Sequence, residues 1–152
     1  MTPLLEVDGL RKSFGLTGPK TLAARLRGER RAVRAVDGVS FAIARGETLG
    51  LVGESGCGKP TIARCLLRVI EPTTGSIRFA GQEITAVDRR QLRNTRRAMQ
   101  MVYQDPTAAL NPRRNVRRTI EEPLRLHFKM TPTEQRDRLN AVIAEVAWEP
   151  TL

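Results

Sequence analysis

The chain has 152 residues, 26 Lys and Arg against 16 Asp and Glu, a net charge of +10 and 40% hydrophobic residues. That composition can build a packed core, which excludes wholesale disorder, and the length suits one ordinary domain or a piece of a larger one. No apolar stretch approaches the roughly 20 residues of a membrane span, and MTPLLEVDGL carries acids where an export signal needs a basic start, which predicts a cytosolic chain.

Residues 4–8, LLEVD, read as a short strand. Residues 15–32 are rich in Gly, Pro and Arg, the composition of a basic surface insertion. Residues 33–43, VRAVDGVSFAI, alternate loosely and predict a strand or hairpin arm, and Arg45-Gly46-Glu47 a turn. Thr48 to Val52 is a compact apolar run bounded by glycines, as a buried strand would be. From Lys59 to Ile70 the spacing of Ile62, Leu66, Leu67 and Ile70 is helical, and Pro72 to Gly75 closes that helix.

Ser76 to Phe79 predicts a strand, Ala80-Gly81 a turn, and Asp88 to Met99 a helix crowded with Arg. Met101 to Tyr103 reads as a short strand ending in Gln104, and Pro106 to Pro112 as a loop. Between Asn115 and Phe128, Val116, Ile120, Leu124 and Phe128 recur at four-residue steps, with Pro123 expected to kink or stop that helix. Thr131-Pro132-Thr133-Glu134 combines a cap, a first-turn proline and a capping box, and the stripe Leu139, Val142, Ile143, Val146 follows.

The two cysteines, Cys57 and Cys65, and the single histidine, His127, are too few for a four-ligand zinc site. A disulfide is not expected in a cytosolic chain. Each half of the chain carries a net +5, and Arg outnumbers Lys 22 to 4. Three clusters stand out: Arg25, Arg27, Arg30, Arg31 and Arg34; Arg89, Arg90, Arg93, Arg96 and Arg97; Arg113, Arg114, Arg117 and Arg118. They suit phosphates, an anionic membrane surface, an acidic groove, or simply water. With 4% aromatics there is little to stack on bases, so nucleic acid is not expected as a partner.

Gly53-Glu54-Ser55-Gly56-Cys57-Gly58-Lys59 has the phosphate-loop spacing GxxxxGK between a predicted strand and a predicted helix. Glycines let the backbone wrap a phosphate, successive N–H groups point inward, and the helix N-terminus adds positive potential. Lys59 would reach the β- and γ-phosphates. The next residue is Ser or Thr in that motif, ligating Mg²⁺; here it is Pro60, with neither a hydroxyl nor an N–H. Pro60 should also bias Lys59 away from helical angles, although proline in a first turn is tolerated for folding. Thr61 supplies a hydroxyl, displaced by about 100° around a helix.

GETLGLVGESGCGK, preceded by AVDGVSF and followed by MVYQDPTAALNPR, resembles the ATP-binding subunits of ABC transporters, and within them those of oligopeptide, dipeptide and nickel importers. The resemblance runs from about Leu4 to the end of the chain. It implies an α/β P-loop core with an N-terminal antiparallel β part over residues 1–105, then the start of a helical subdomain over 106–152. It implies that Phe14 stacks on adenine, that Gly53, Ser55, Gly56, Cys57, Gly58, Lys59 and Thr61 surround the phosphates, and that Gln104 approaches Mg²⁺ and the attacking water.

The family's LSGGQ signature, acidic strand end, catalytic Glu and switch His are not found here, and His127 is read as a surface residue. The resemblance therefore implies an ATP-binding component energising solute import through membrane permease subunits. A second ATP-binding subunit would be its partner, at the inner face of the cell membrane. It also implies a C-terminal half that is missing, ATP and Mg²⁺ binding weakened by Pro60, no useful hydrolysis by this chain alone, and marginal stability. A non-enzymatic remnant and, less in keeping with the residues, a small basic nucleic-acid-binding protein are the alternatives.

Overall fold

The computed structural model describes residues 2–15, 32–105 and 110–145. The basic insertion, most of the first Arg cluster, part of the 106–112 loop and Val146 lie outside the described residues. The chain divides into two compact units, Met1–Met101 and Val102–Leu152.

The first unit is built on a four-stranded antiparallel sheet. Strands β1 (Leu5–Gly15), β2 (Ala32–Ile43), β3 (Thr74–Phe79) and β4 (Gln82–Glu83) lie in the order β2-β1-β3-β4. Leu5 and Val7 turn inward with the two-residue period of a strand. Leu10 is three residues beyond Val7 and would face outward, but the ladder slips between them and Gly9 takes φ 54°, which brings Leu10 back inside. β1 thus runs seven residues beyond the predicted 4–8. The two-residue turn at Ala80-Gly81 has positive φ at both positions, as a primed hairpin turn requires, and delivers β4, an element not anticipated from the sequence.

Helix α1 (Lys59–Leu66) sends Ile62 and Cys65 into the core made by Leu5, Val7, Leu10, Val36, Ile77 and Ile84. Leu66 and Ile70 pack at its margin. The end of α1 is tied down by two arginines. Arg68, at φ 49°, donates from Nη1 to the Ile84 and Val87 carbonyls (3.0 and 2.8 Å) and pairs with Glu71. Arg96 donates to the Leu67 and Arg68 carbonyls (3.0 and 2.7 Å), placing positive charge where the helix dipole is negative. Arg96 belongs to α2 (Arg89–Arg96), capped by Asp88, whose carboxylate accepts the Gln91 N–H, and anchored by buried Leu92.

Two expected strands are absent. Thr48 to Val52 and Met101 to Tyr103 have no ladder partner among the described residues. Val52 is 98% exposed and Val102 94%. Their composition suits a strand covered on both faces, but a strand exists only where another backbone accepts its hydrogen bonds, and no described segment does so.

In the second unit, α3 (Val116–His127) is capped by Asn115 and packs against α4 (Pro132–Glu145). Pro123 neither stops α3 nor sits in its core; it is exposed, where water can serve the carbonyl that its missing N–H leaves free. The capping box of α4 forms as expected, with the Thr131 N–H donating to Glu134 Oε2 (2.7 Å) and the Glu134 N–H to Thr131 Oγ1 (3.3 Å). The Thr131 N–H holds the Glu134 carboxyl below the usual range. Leu139 is the residue α4 buries. His127 is half-buried rather than a surface residue, and its Nδ1 is enclosed without a hydrogen-bond partner among the described residues.

Candidate phosphate-binding loop

The loop from Gly53 to Lys59 sits at the N-terminus of α1, where a phosphate cradle must be to use the helix N–H groups. Gly56 and Gly58 adopt φ 83° and 95°, the left-handed region that favours glycine. The Cys57 N–H closes a turn on the Glu54 carbonyl (3.3 Å), and the Ile62 N–H bonds the Gly58 carbonyl (3.0 Å). Gly58 is buried against β2: a Cβ there would stand 2.1 Å from the Ala35 carbonyl oxygen and 3.8 Å from Val36 Cγ2. The absent side chain is what lets the loop lie on the sheet.

Lys59 folds back over its own loop. Its Nζ donates to the Gly53 and Glu54 carbonyls (2.5 and 2.7 Å) and to Cys57 Sγ (3.2 Å). The ammonium therefore stands inside the ring of backbone that would surround a phosphate. These carbonyl contacts are the ones an anion would replace. The sequence pointed to Lys59 but not to its carbonyl partners, which only the loop's curvature brings within reach.

Pro60 is tolerated in the first turn of the helix, as expected, and its bias on the preceding residue does not take Lys59 out of the helix. Lys59 and Pro60 are the first two residues of α1, and a proline in the first turn removes only an N–H that has no partner within the helix. The position carries no hydroxyl. Thr61 is half-buried one residue on, and Ser55 is exposed on the loop.

Phe14 is exposed near the end of β1, opposite Val33 in the ladder. Val33 is two residues, about 7 Å of strand, from Ala35, where Gly58 touches the sheet. Phe14 and the Gly58 contact thus lie about two residues apart along the β1–β2 ladder. Lys12 stands over the ring at 5.0 Å and also donates to the Glu71 carbonyl (2.7 Å). Sequence reading passed over Lys12, although its i, i+2 spacing to Phe14 put both on one face of a strand. Gln104 is exposed and belongs to the second unit. No group of three or more His, Cys, Asp or Glu among the described residues could hold a metal ion.

The two thiols differ in kind. The hydrogen bond from Lys59 holds the exposed Cys57 thiol below the usual range, whereas burial pushes Cys65 up. A lowered pKa means more thiolate at any given pH, and the thiolate is the reactive form. Iodoacetamide is expected to label Cys57 with a pH midpoint below that of the unfolded chain, and Cys65 only after unfolding. Lys59→Met should move the Cys57 midpoint upward. An unmoved midpoint would show that the Lys59–Cys57 contact does not persist in solution.

The family described as ABC transporter matches residues 36–151. The chain is 47% identical over 149 residues to the oligopeptide transport ATP-binding protein AppF of Bacillus subtilis, covering 97% of this chain and 44% of that protein. It is 44% identical over 118 residues to the di/tripeptide transport ATP-binding protein DppF of Pseudomonas aeruginosa, covering 78% and 36%. Among solved structures, a dimeric post-hydrolysis ATP-binding cassette bound to ADP and Pi superposes with a TM-score of 0.72 at 20% identity, over 96% of this chain and 58% of that one. The chain spans less than half the length of these curated relatives. The fold is that of a partial P-loop ATPase cassette.

Proposed function

The chain belongs to the ABC transporter family, and we propose that it is the N-terminal portion of the ATP-binding subunit of a peptide-type importer. The observation that carries the reading is the glycine loop at the head of α1, seated on β2 through Gly58, with Lys59 at its centre. Loop N–H groups from Ser55 to Lys59 and the Thr61 hydroxyl face the phosphates of ATP. Lys59 exchanges its carbonyl contacts for phosphate oxygens, and Phe14 offers its ring to the adenine. Gln104 is the residue assigned toward Mg²⁺ and water.

The donor set fits a nucleotide better than it fits the metal. Pro60 has no side-chain oxygen to give Mg²⁺, and the described residues hold no carboxylate cluster to replace it. We therefore assign no hydrolytic step to this chain. Peptides are the proposed cargo class because the relatives are named for oligopeptide and di/tripeptide transport. The proposed partners are permease subunits and a second ATP-binding subunit, at the inner face of the membrane. Residues 106–152 are proposed as the start of the helical subdomain. A remnant that meets its partners without hydrolysing ATP is the alternative, and the same experiment addresses it.

Calorimetry of Mg-ATP on the native chain and on Pro60→Ser, with Lys59→Ala as the control, tests the reading. Pro60→Ser is expected to bind at least about tenfold more tightly, the effect of one restored metal ligand in a charge-assisted site. Equal affinities would overturn the metal argument. No binding by either would overturn the assignment of a working nucleotide loop.

A further inference from the structure

We propose that the arginine face of α2 docks this protein on an anionic lipid surface. At about 100° per residue, Arg96, Arg89, Arg93, Arg97 and Arg90 fall within an arc of about 120° on α2 and its C-cap. All five are exposed. Residues 88–97 hold these five cations and one acid, Asp88, whose carboxylate is turned to the helix cap. Among the described residues, Arg89, Arg90 and Arg93 form no ion pair.

Like charges at i, i+4, as in Arg89 and Arg93, weaken a helix. The face is nevertheless presented rigidly, since Leu92 is buried behind it and Arg96 is bonded to the end of α1. The contrast with the Arg113–Arg118 cluster is direct. There, Arg114 pairs with Glu122 and Arg117 with Glu121.

The arc favours a lipid surface over the other anions. It carries no apolar side chain, whereas a protein interface needs a desolvated apolar centre. None of its arginines lines the pocket beside α2, which Gln91, Asn94 and Thr95 border, so the arc itself offers no cleft for a peptide. A layer of headgroup phosphates can meet all three free guanidinium groups at once through charge alone. The choice of membrane over nucleic acid rests on the proposed transporter role.

The test is sedimentation of the full chain with vesicles of phosphatidylglycerol and phosphatidylcholine, and with phosphatidylcholine alone, at about 0.1 M salt. Binding is expected only to the anionic vesicles and should fall steeply at higher salt. The variant R89Q/R90Q/R93Q should lose partitioning on the order of 100-fold, while R113Q/R118Q changes it by less than about tenfold and both keep the native melting curve. Equal losses in both variants, or no binding to anionic vesicles, would overturn the proposal. So would duplex DNA that displaces the vesicles through the same three arginines. ATP calorimetry reports separately: vesicle binding without nucleotide binding would leave this proposal standing and overturn only the assignment of a working nucleotide loop.

Discussion

Gly58→Ala is expected to destabilise the first unit by on the order of 3–5 kcal/mol and to abolish any nucleotide binding with it. Two costs add. An alanine held at φ 95° is strained by about 1–2 kcal/mol. Its Cβ would also stand 2.1 Å from the Ala35 carbonyl oxygen, a backbone atom of β2 that cannot swing aside. Either β2 shifts, disturbing its ladder with β1, or the head of α1 lifts off the sheet. Gly56→Ala is the control, because Gly56 has φ 83° but open space where its Cβ would go. It should cost only the strain. Urea melts of the two variants measure the difference, and similar midpoints would show that the loop does not rest on β2.

Ile77→Ala is the second large effect. Ile77 is fully buried on β3, opposite Val7, within the cluster of Leu10, Val36, Ile62, Cys65 and Ile84. Its N–H is fixed by Thr85 Oγ1 at 2.6 Å, so β3 is poorly placed to move inward and fill the void. A cost of about 3–4 kcal/mol is expected, the lost transfer energy plus a cavity. Against the usual 5–15 kcal/mol of a small domain that is a large fraction. It is the more serious here because Val52 and Val102 contribute almost nothing to burial. Val69→Ala, at a site 58% exposed, should stay within about 0.5 kcal/mol. A cost below about 1 kcal/mol for Ile77→Ala would mean that the cluster is not the core.

Elements governed by neighbours in the chain were legible. The Thr131–Glu134 capping box, the Ala80-Gly81 turn, the helical stripe of Ile62 and Leu66 and the GxxxxGK loop all follow from spacings of a few residues, and each is where the spacing puts it. Inward-facing positions were legible only until a slip: Leu10 is buried because a bulge at Asp8-Gly9 changes the parity of β1, which no alternation of residue types foretells. Pro60 is tolerated in the first turn of α1, as its position predicts, because first-turn proline costs the helix nothing it would have used.

Residue order alone carries the loop, the capped helices, the charge and the family resemblance, since these depend on side-chain chemistry and on contacts within about one turn of chain. It could not say that Thr48–Val52 and Met101–Tyr103 would stand unpaired, because an apolar run becomes a strand only when a distant backbone meets it. Nor could it say that Gly58 would touch Ala35, or that Arg96 would bond the Leu67 and Arg68 carbonyls at the end of α1. Those outcomes depend on which remote segments meet in space, and burial and hydrogen bonding are settled only there.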